Sequence, residues 1–352
     1  MPTVLFIAPR FGSLDRGMEV FTGVIGTWLV RQGFTVKILS GPGRTLPGIQ
    51  SVHAPIITRE RFYRWIRPDV LCRLLARAGL GPSELEAFSL LCSASSTLDA
   101  CGDADFVVSQ AGWRSAHWAR KNFPKAKIVC VGHGGVVWKE LAFADAFVAL
   151  LERDREKVRN RLPELQTTVI NNGIDLERFT PAVGRTKGRH ILSVGALVNG
   201  KGHWRLLDAF LHLPPDVHLT CVGSGPEHAA LLRHPAAASG RVAFRAVPHE
   251  DMPSIYQSAD VYTLASLEES FALVYFEALA CGLPVVVHDG PRQRDIIGPD
   301  GIYVDVTNPE KYATALLAAL ERPLNPASRA RIAQYSWDSV AAHYATFLNS
   351  LQ

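Results

Sequence analysis

Glu269-Ser270-Phe271-Ala272-Leu273-Val274-Tyr275-Phe276-Glu277 is followed by Ala278-Leu279-Ala280-Cys281-Gly282-Leu283-Pro284 and the apolar run Val285-Val286-Val287. Upstream lies Val261-Tyr262-Thr263-Leu264, a buried-strand pattern. The stretch therefore reads as strand, polar loop, short helix closed by Gly282, turn and strand. Such a unit belongs to an open parallel sheet. Ligands settle there at the carboxyl ends of the strands, and a helix N-terminus offers backbone N–H groups to anions. Glu269 and Glu277 stand eight positions apart. If the interval were wholly helical they would lie about 12 Å apart along the axis, too far for a catalytic dyad. They suit the two hydroxyl-bearing ends of an elongated ligand with an anionic middle, such as ribose, diphosphate and hexose joined in line. Two solvated acids, one in a loop and one on an exposed helical turn, are the alternative.

A chain of 352 residues is long for one core and comfortable for two domains. Apolar residues at 47% and charged residues at 20% describe a globular protein, neither disordered nor fibrous. A net charge of +4 permits anionic substrates or an anionic membrane surface and gives no warrant for nucleic acid. The six cysteines form no Cys-x-x-Cys pair, and several sit in apolar strand-like runs, as small buried hydrophobes do in a reducing cytoplasm. The apolar run 4–8 is broken by Pro9-Arg10, too early for a signal-peptide core or a membrane span, and no later run approaches spanning length.

Residues 4–8 and 36–39 are expected to be buried strands flanking a helix from about 20 to 32, a βαβ opening. The loop 9–18 holds Gly12 and Gly17 just ahead of that helix, where glycine suits close backbone approach to a ligand. Arginines at 59, 61, 64, 67, 73 and 77 are interleaved with aromatic and aliphatic residues, and Pro68 starts the cleaner helix, which ends before Gly79. An amphipathic helix with a solvated face explains this pattern; an interfacial segment touching an anionic acceptor or lipid headgroups is the sharper reading. Residues 83–86 form a capping box opening a helix that runs to Gly102. Strands are expected at Phe106–Ser109, Lys127–Val131 and Ala146–Ala149. Asp103-Ala104-Asp105 precedes a strand, the wrong sheet edge for a metal-holding acid pair, and reads as a solvated turn. Gly132-His133-Gly134-Gly135 follows a strand at its carboxyl end, where chemistry is expected. Gln110-Ala111-Gly112-Trp113-Arg114 occupies another strand end and could line an acceptor pocket.

Residues 181–189 read as an interdomain linker. A second βα series follows, with strands at 191–194, 219–222, 242–244, 261–264, 285–288 and 302–304, and Trp337 opens a last helix. Gly195-Ala196-Leu197-Val198-Asn199-Gly200-Lys201-Gly202 joins the first of these strands to a helix over 206–211. It falls one residue short of a P-loop. Gly202 offers magnesium no hydroxyl, and no strand ending in Asp is placed to anchor the metal, which leaves a P-loop NTPase as the weaker alternative. Gly223-Ser224-Gly225-Pro226 is a turn at the end of the next strand.

Through Glu269, Ser270-Phe271, Glu277-Ala278, Ala280 and Gly282-x-Pro284-Val285-Val286, the chain resembles the Glu-x7-Glu element of retaining GT-B glycosyltransferases, family 4 (group 1) in particular. The resemblance runs over nearly the whole chain and is strongest in the second half. It implies an α/β protein of two Rossmann-like, doubly wound parallel-sheet domains facing across a cleft. Residues 1–178 would form the acceptor domain, with helix 337–352 packed back on it, and residues 185–336 the nucleotide-sugar donor domain. Glu269 would hydrogen-bond the transferred sugar and Glu277 the ribose, with Ser270, Phe271, Ala272 and Leu273 contributing to the donor site. Gly195 and Lys201 stand in a loop similar to the family's Gly-Arg-Leu-x3-Lys-Gly, which meets the leaving diphosphate. Gly223 and Gly225 match its Gly-x-Gly-Pro turn near the nucleotide, and Val247 begins the segment that lines the base. Gly17 belongs to a loop similar to Gly-Gly-x-Glu, in which Arg16 replaces the first Gly and Glu19 keeps the acid. His133 would face the reacting sugar, so that His133, Lys201 and Glu269 are the implied catalytic residues.

The same resemblance implies no metal and no resident cofactor. The nucleotide-diphosphate sugar is a co-substrate, and fixed cations and N–H groups take up the charge of its leaving diphosphate. Ala196 departs from the pattern, replacing an Arg. Losing one such donor costs on the order of 3 kcal/mol of barrier unless Arg10, Arg16, Arg292 or Arg294 takes over. The expected function is transfer of a sugar, with retention, to a hydroxyl of a glycan, lipid-linked or small-molecule acceptor. A non-catalytic or weakly active nucleotide-sugar binding protein is the alternative. No nucleic-acid partner is expected. The expected location is the cytoplasm, with peripheral contact at the inner face of the membrane through residues 59–77.

Overall fold

The computed structural model describes residues 1–13, 17–58, 61, 82–184 and 188–352. Arg16, most of the Arg-rich segment 59–77 and the linker residues 185–187 lie outside the described residues. The chain divides into two compact units. Met1–Asn172 together with Trp337–Gln352 make the first, and Gly173–Ser336 make the second.

In the first unit, among the described residues, seven parallel strands line up as β3-β2-β1-β4-β5-β6-β7. They are β1 Thr3–Ile7, β2 Thr35–Ser40, β3 Gln50–His53, β4 Phe106–Ser109, β5 Lys127–Val131, β6 Ala146–Ala149 and β7 Gln166–Val169. β1 is apolar without alternation because both of its faces are covered. Val4 and Phe6 pack with Phe21, Ile25 and Leu29 of helix Gly17–Arg31 and with Val340, Tyr344 and Leu348 of helix Trp337–Ser350. Leu5 and Ile7 face Leu90, Leu91, Ala116 and Ala119 on the other side. The polar strands β3 and β7, at the two sheet edges, carry no such run and escape a pattern search.

Two local readings are corrected. The helix expected to reach Gly102 spans Pro82–Ala94, and a separate turn, Leu98–Cys101, follows. Ser95-Ser96-Thr97 interrupts it: Ser96 Oγ donates to the Ser93 carbonyl at 2.8 Å and Thr97 Oγ1 to that of Ala94 at 3.1 Å, competing with the helical ladder. The Glu86 carboxylate accepts from Arg10 Nη1 at 2.7 Å. Gly12, expected to approach a ligand, approaches the chain itself. At φ 79° a Cβ there would lie 2.5 Å from both the backbone N and O of Arg44.

The second unit, among the described residues, holds six parallel strands in the order β10-β9-β8-β11-β12-β13. They are β8 His190–Val194, β9 His218–Val222, β10 Val242–Arg245, β11 Val261–Leu264, β12 Val285–His288 and β13 Gly301–Val304. Ile191, Leu219, Val261 and Val286 pack with Leu206 and Phe210 of helix His203–Phe210 and with Tyr312, Leu316 and Leu320. Asp260 Oδ2 accepts the backbone N–H of Gly188 at 3.0 Å and of His190 at 2.8 Å, fixing the entry to the sheet. The Arg329 guanidinium donates to the carbonyls of Leu176, Phe179 and Ala280 and ties down its first segment.

Each sheet reverses its strand order once, between β1 and β4 in the first unit and between β8 and β11 in the second. In a doubly wound sheet the connecting segments part at that point and leave a crevice beyond the strand ends.

Candidate active site

At the β8/β11 reversal, four loops leave the carboxyl ends of neighbouring strands. Gly195–Lys201 follows β8, Gly223–Gly225 follows β9, Val247 lies beyond β10, and Glu269–Leu273 lies beyond β11. The first two loops are joined through their backbones. Gly195 N donates to Val222 O and Leu197 N to Ser224 O, both at 2.9 Å. A Cβ on Gly223 would lie 2.0 Å from the Gly195 carbonyl oxygen, and one on Gly225 2.3 Å from that of Leu197. Both glycines are therefore required by loop-on-loop packing. Gly202 is left-handed at φ 68°, and its Cβ would come within 2.2 Å of the Ala265 carbonyl oxygen. No Ser or Thr fits there, so the hydroxyl that a P-loop needs for its metal is sterically barred.

Lys201 ends a short turn, Asn199–Lys201, and its Nζ reaches both oxygens of Glu269, at 2.6 and 2.8 Å. This charge-assisted pair bridges the reversal point from the β8 loop to the β11 loop. The Glu269 side chain is 6% exposed and that of Lys201 30%. Arg292 Nε donates to the Glu269 carbonyl at 2.8 Å, and Gln293 Nε2 to the carbonyls of Leu267 and Ser266 at 2.9 and 3.2 Å, so the loop's backbone is held from beneath. Ala272 turns the chain into helix Leu273–Ala280 with φ 53° and ψ 74°, a conformation that is strained for a residue with a side chain. Phe271 stacks on Phe276, with ring centroids 4.9 Å apart.

Glu277, inside that helix, accepts from the Tyr256 hydroxyl at 2.6 Å. Burial pushes its carboxyl up to about 7, against the lowering effects of this hydrogen bond and of Arg178. His203, just after the Lys201 turn, is 1% exposed and pushed down to about 4 by burial and, secondarily, by Lys201. Neither of its ring nitrogens has a hydrogen-bond partner among the described residues.

The first unit has its own crevice at the β1/β4 reversal, a cavity of about 440 Å³. Arg10, Glu84, Gln110, His133 and Glu140 are among its walls. Gln110 and His133 are linked to each other and to the helix behind them. His133 Nε2 lies 3.1 Å from Gln110 Oε1, Gln110 Nε2 donates to Thr22 Oγ1 at 3.0 Å, and Thr22 Oγ1 donates to the Met18 carbonyl at 2.9 Å. Burial lowers His133 to about 4, so its ring is neutral at pH 7, and it sits edge-on to Phe21 with centroids 4.8 Å apart. Glu140 accepts from Ser109 Oγ at 2.9 Å and is pushed up to about 7 by burial, with Glu84 adding to the rise.

The fold thus brings Lys201, Glu269, Ser270, Phe271, Ala272, Leu273, Gly195, Gly223 and Gly225 to one end of the second sheet, with Val247 half-buried at the same end and Glu277 one helix further back. His133 belongs to the first unit, as does Gly17, which opens helix Gly17–Arg31. Of the arginines expected to replace the missing cation at Ala196, two are engaged elsewhere. Arg294 pairs with Asp289 at 2.7 Å, and Arg10 with Glu86. Arg292 does reach the Glu269 loop. Tyr256 and Gln293 were not legible as site residues, because each reaches its partner only after helices distant in sequence have packed. Glu84 and Glu140 carry no motif that would single them out.

Taken with its relatives, this architecture defines a class. Residues 188–322 match the family described as "Glycosyl transferases group 1", and the chain is a glycosyltransferase with the GT-B fold. Among its relatives is a D-inositol 3-phosphate glycosyltransferase of Xylanimonas cellulosilytica, 28% identical over 97% of this chain and 95% of that protein. A GDP-mannose-dependent monoacylated alpha-(1-6)-phosphatidylinositol monomannoside mannosyltransferase of Corynebacterium glutamicum is 27% identical over 51% of this chain and 55% of its own length. Among solved structures, sucrose-phosphate synthase from Thermosynechococcus elongatus superposes with a TM-score of 0.78 at 19% identity, covering 100% of this chain and 99% of that one. Anabaena HepE in complex with UDP and glucose gives 0.74 at 17% identity, covering 99% of this chain and 100% of that one.

Proposed function

We propose that the chain transfers a sugar, with retention of anomeric configuration and without a metal ion, from a nucleotide-diphosphate sugar to a hydroxyl of a glycan, lipid-linked or small-molecule acceptor. The donor occupies the loops after β8, β9, β10 and β11, and the acceptor occupies the cavity of the first unit. The observation that carries this reading is the Lys201–Glu269 pair across the β8/β11 reversal. When the donor binds, Lys201 turns to the diphosphate and Glu269 is released to a hydroxyl of the transferred sugar. As the glycosidic bond breaks, its electron pair moves to the diphosphate oxygen. Lys201 and the N–H groups at the start of helix Leu273–Ala280 meet that charge. The departing phosphate accepts the proton of the attacking hydroxyl on the same face, so no protein nucleophile is needed. Glu277, with Tyr256, holds the ribose, and neutral His133 offers the sugar a hydrogen-bonding nitrogen.

A nucleotide-sugar donor is supported by relatives named for GDP-mannose and by a solved structure holding UDP and glucose. Among the described residues no helix is long and apolar enough to cross a membrane. Residence in the cytoplasm, with peripheral membrane contact through residues 59–77, belongs to the same proposal.

Lys201→Ala and Glu269→Gln are each expected to lower turnover at least tenfold in an assay of nucleoside-diphosphate release run in the presence of a chelator. Near-wild-type rates in both variants would overturn the assignment. Ala196 favours a second reading, a nucleotide-sugar binding protein with little activity. Diphosphate release that is the same with and without every acceptor tried is its signature.

A further inference from the structure

We propose that the cavity of the first unit selects an acceptor carrying a positive charge, an amino-bearing cyclitol or sugar, and disfavours a phosphate-bearing one. The proposal rests on the reading of this cavity as the acceptor site. Glu84 comes from helix Pro82–Ala94 and Glu140 from the short helix Trp138–Leu141, and both line the cavity beyond the carboxyl ends of β1, β4 and β5. Glu140 is 6% exposed. Its hydrogen-bonding neighbours among the described residues are the Ser109 hydroxyl and the Cys130 thiol, and no Lys or Arg pairs with it. Among the described residues, Glu84 Oε2 is buried with no hydrogen-bond partner. The cation acting on Glu84 is Arg114, whose guanidinium lies over the rings of Phe88 and Trp113, at 5.4 and 4.6 Å, and forms no ion pair among the described residues.

Nothing else described on these walls offsets the two acids. Arg10 is committed to Glu86 at 2.7 Å, and His133 is uncharged at neutral pH. Both Glu84 and Glu140 have carboxyl pKa values raised chiefly by burial, and Glu84 further disfavours charge on Glu140. A buried carboxylate without a cation is costly, and a second one nearby makes it more so. An ammonium group entering between them supplies the missing partner. A phosphate entering the same space brings further negative charge against these acids in a medium of low dielectric and supplies neither with a cation. Gln110 and His133, held by their link to Thr22, remain for the hydroxyls of a ring. Several relatives are named for D-inositol 3-phosphate, so the charge of the acceptor separates this chain from them.

The test is a charge ladder on one ring skeleton. Binding of streptamine, a diaminocyclitol, of myo-inositol and of inositol 3-phosphate to the full chain is measured by calorimetry, with and without saturating UDP or GDP. Streptamine is expected to bind at least tenfold more tightly than myo-inositol, with inositol 3-phosphate no tighter than myo-inositol. Glu84→Gln is expected to remove most of the streptamine preference, and Glu140→Gln provides an independent second variant. A flat ladder, one led by inositol 3-phosphate, or a preference unchanged in both variants overturns the proposal. Failure of the chain to bind any nucleoside diphosphate would count against the donor assignment and leaves the ladder readable by itself.

Discussion

Glu277 shows how much a single residue's surroundings decide. Its carboxyl sits at about 7 in the folded chain against an ordinary 4.5, so between those values the folded state holds a proton that the unfolded state has lost. The stabilisation is complete below about pH 4.5 and fades as pH rises to about 7. His203 and His133 act in the opposite sense. Lowered to about 4 from 6.5, they withdraw stability as pH falls through that range, so the Glu277 contribution has to be read as a difference between variants. The melting temperature of the wild type relative to Glu277→Gln is expected to fall as pH rises from 4.5 to 7. A constant difference across that range would mean that burial does not govern the group. Glu277 was legible in the sequence through its spacing from Glu269. Its partner Tyr256 was not, because the hydrogen bond joins two helices 21 residues apart and exists only once both have docked.

At the scale of elements, the strands with two covered faces declare themselves. β1, β4, β5, β6, β11 and β12 are mostly apolar and buried along most of their length, since side chains on both faces meet a helix layer. Edge strands obey no such demand: the polar β3 and β7 were missed, whereas the edge strands β10 and β13 keep an apolar core of residues and were legible. Loops are legible in a narrower way. Gly223 and Gly225 stand out by type, but the sequence does not say whether a ligand or another loop requires them, and here the Gly195 loop does. Gly223→Ala is therefore expected to destabilise the second unit by about 3 kcal/mol even without ligand, because the new methyl meets a backbone carbonyl that has no rotamer to yield. Chemical denaturation of the ligand-free protein checks this. A variant as stable as the wild type but weak in nucleotide binding would return the glycine to a role in ligand approach.

For the whole molecule, the chain leaves the first unit after Asn172 and re-enters it at Trp337. The returning helix Trp337–Ser350 gives Val340, Ala341, Tyr344 and Leu348 to the core that also holds Phe21, Ile25 and Leu29. Deleting Trp337–Gln352 is expected to lower the unfolding temperature of the first unit and to leave that of the second in place. Calorimetry with a saturating nucleoside diphosphate, which raises only the transition of the unit that binds it, distinguishes the two. A deletion that shifts both transitions together would show that the units do not unfold separately. The division into two βα series was readable because two independent runs of strand patterns flank a glycine- and charge-rich stretch. The discontinuity of the first unit has no local signature, since the last helix looks like any amphipathic segment until its partner is known. That discontinuity has a consequence for biosynthesis. The second unit is one uninterrupted segment and is complete as soon as Ser336 has cleared the ribosome, whereas the first unit, begun earlier, lacks a wall until Trp337–Ser350 emerges. At translation rates of about 5–20 residues per second, synthesis of residues 173–336 takes on the order of ten to thirty seconds. For that interval the part of Gly17–Arg31 that the final helix covers faces water on the nascent chain, while its sheet-facing side can already pack on β1, and that exposed flank is a target for holding chaperones that vanishes once the final helix docks.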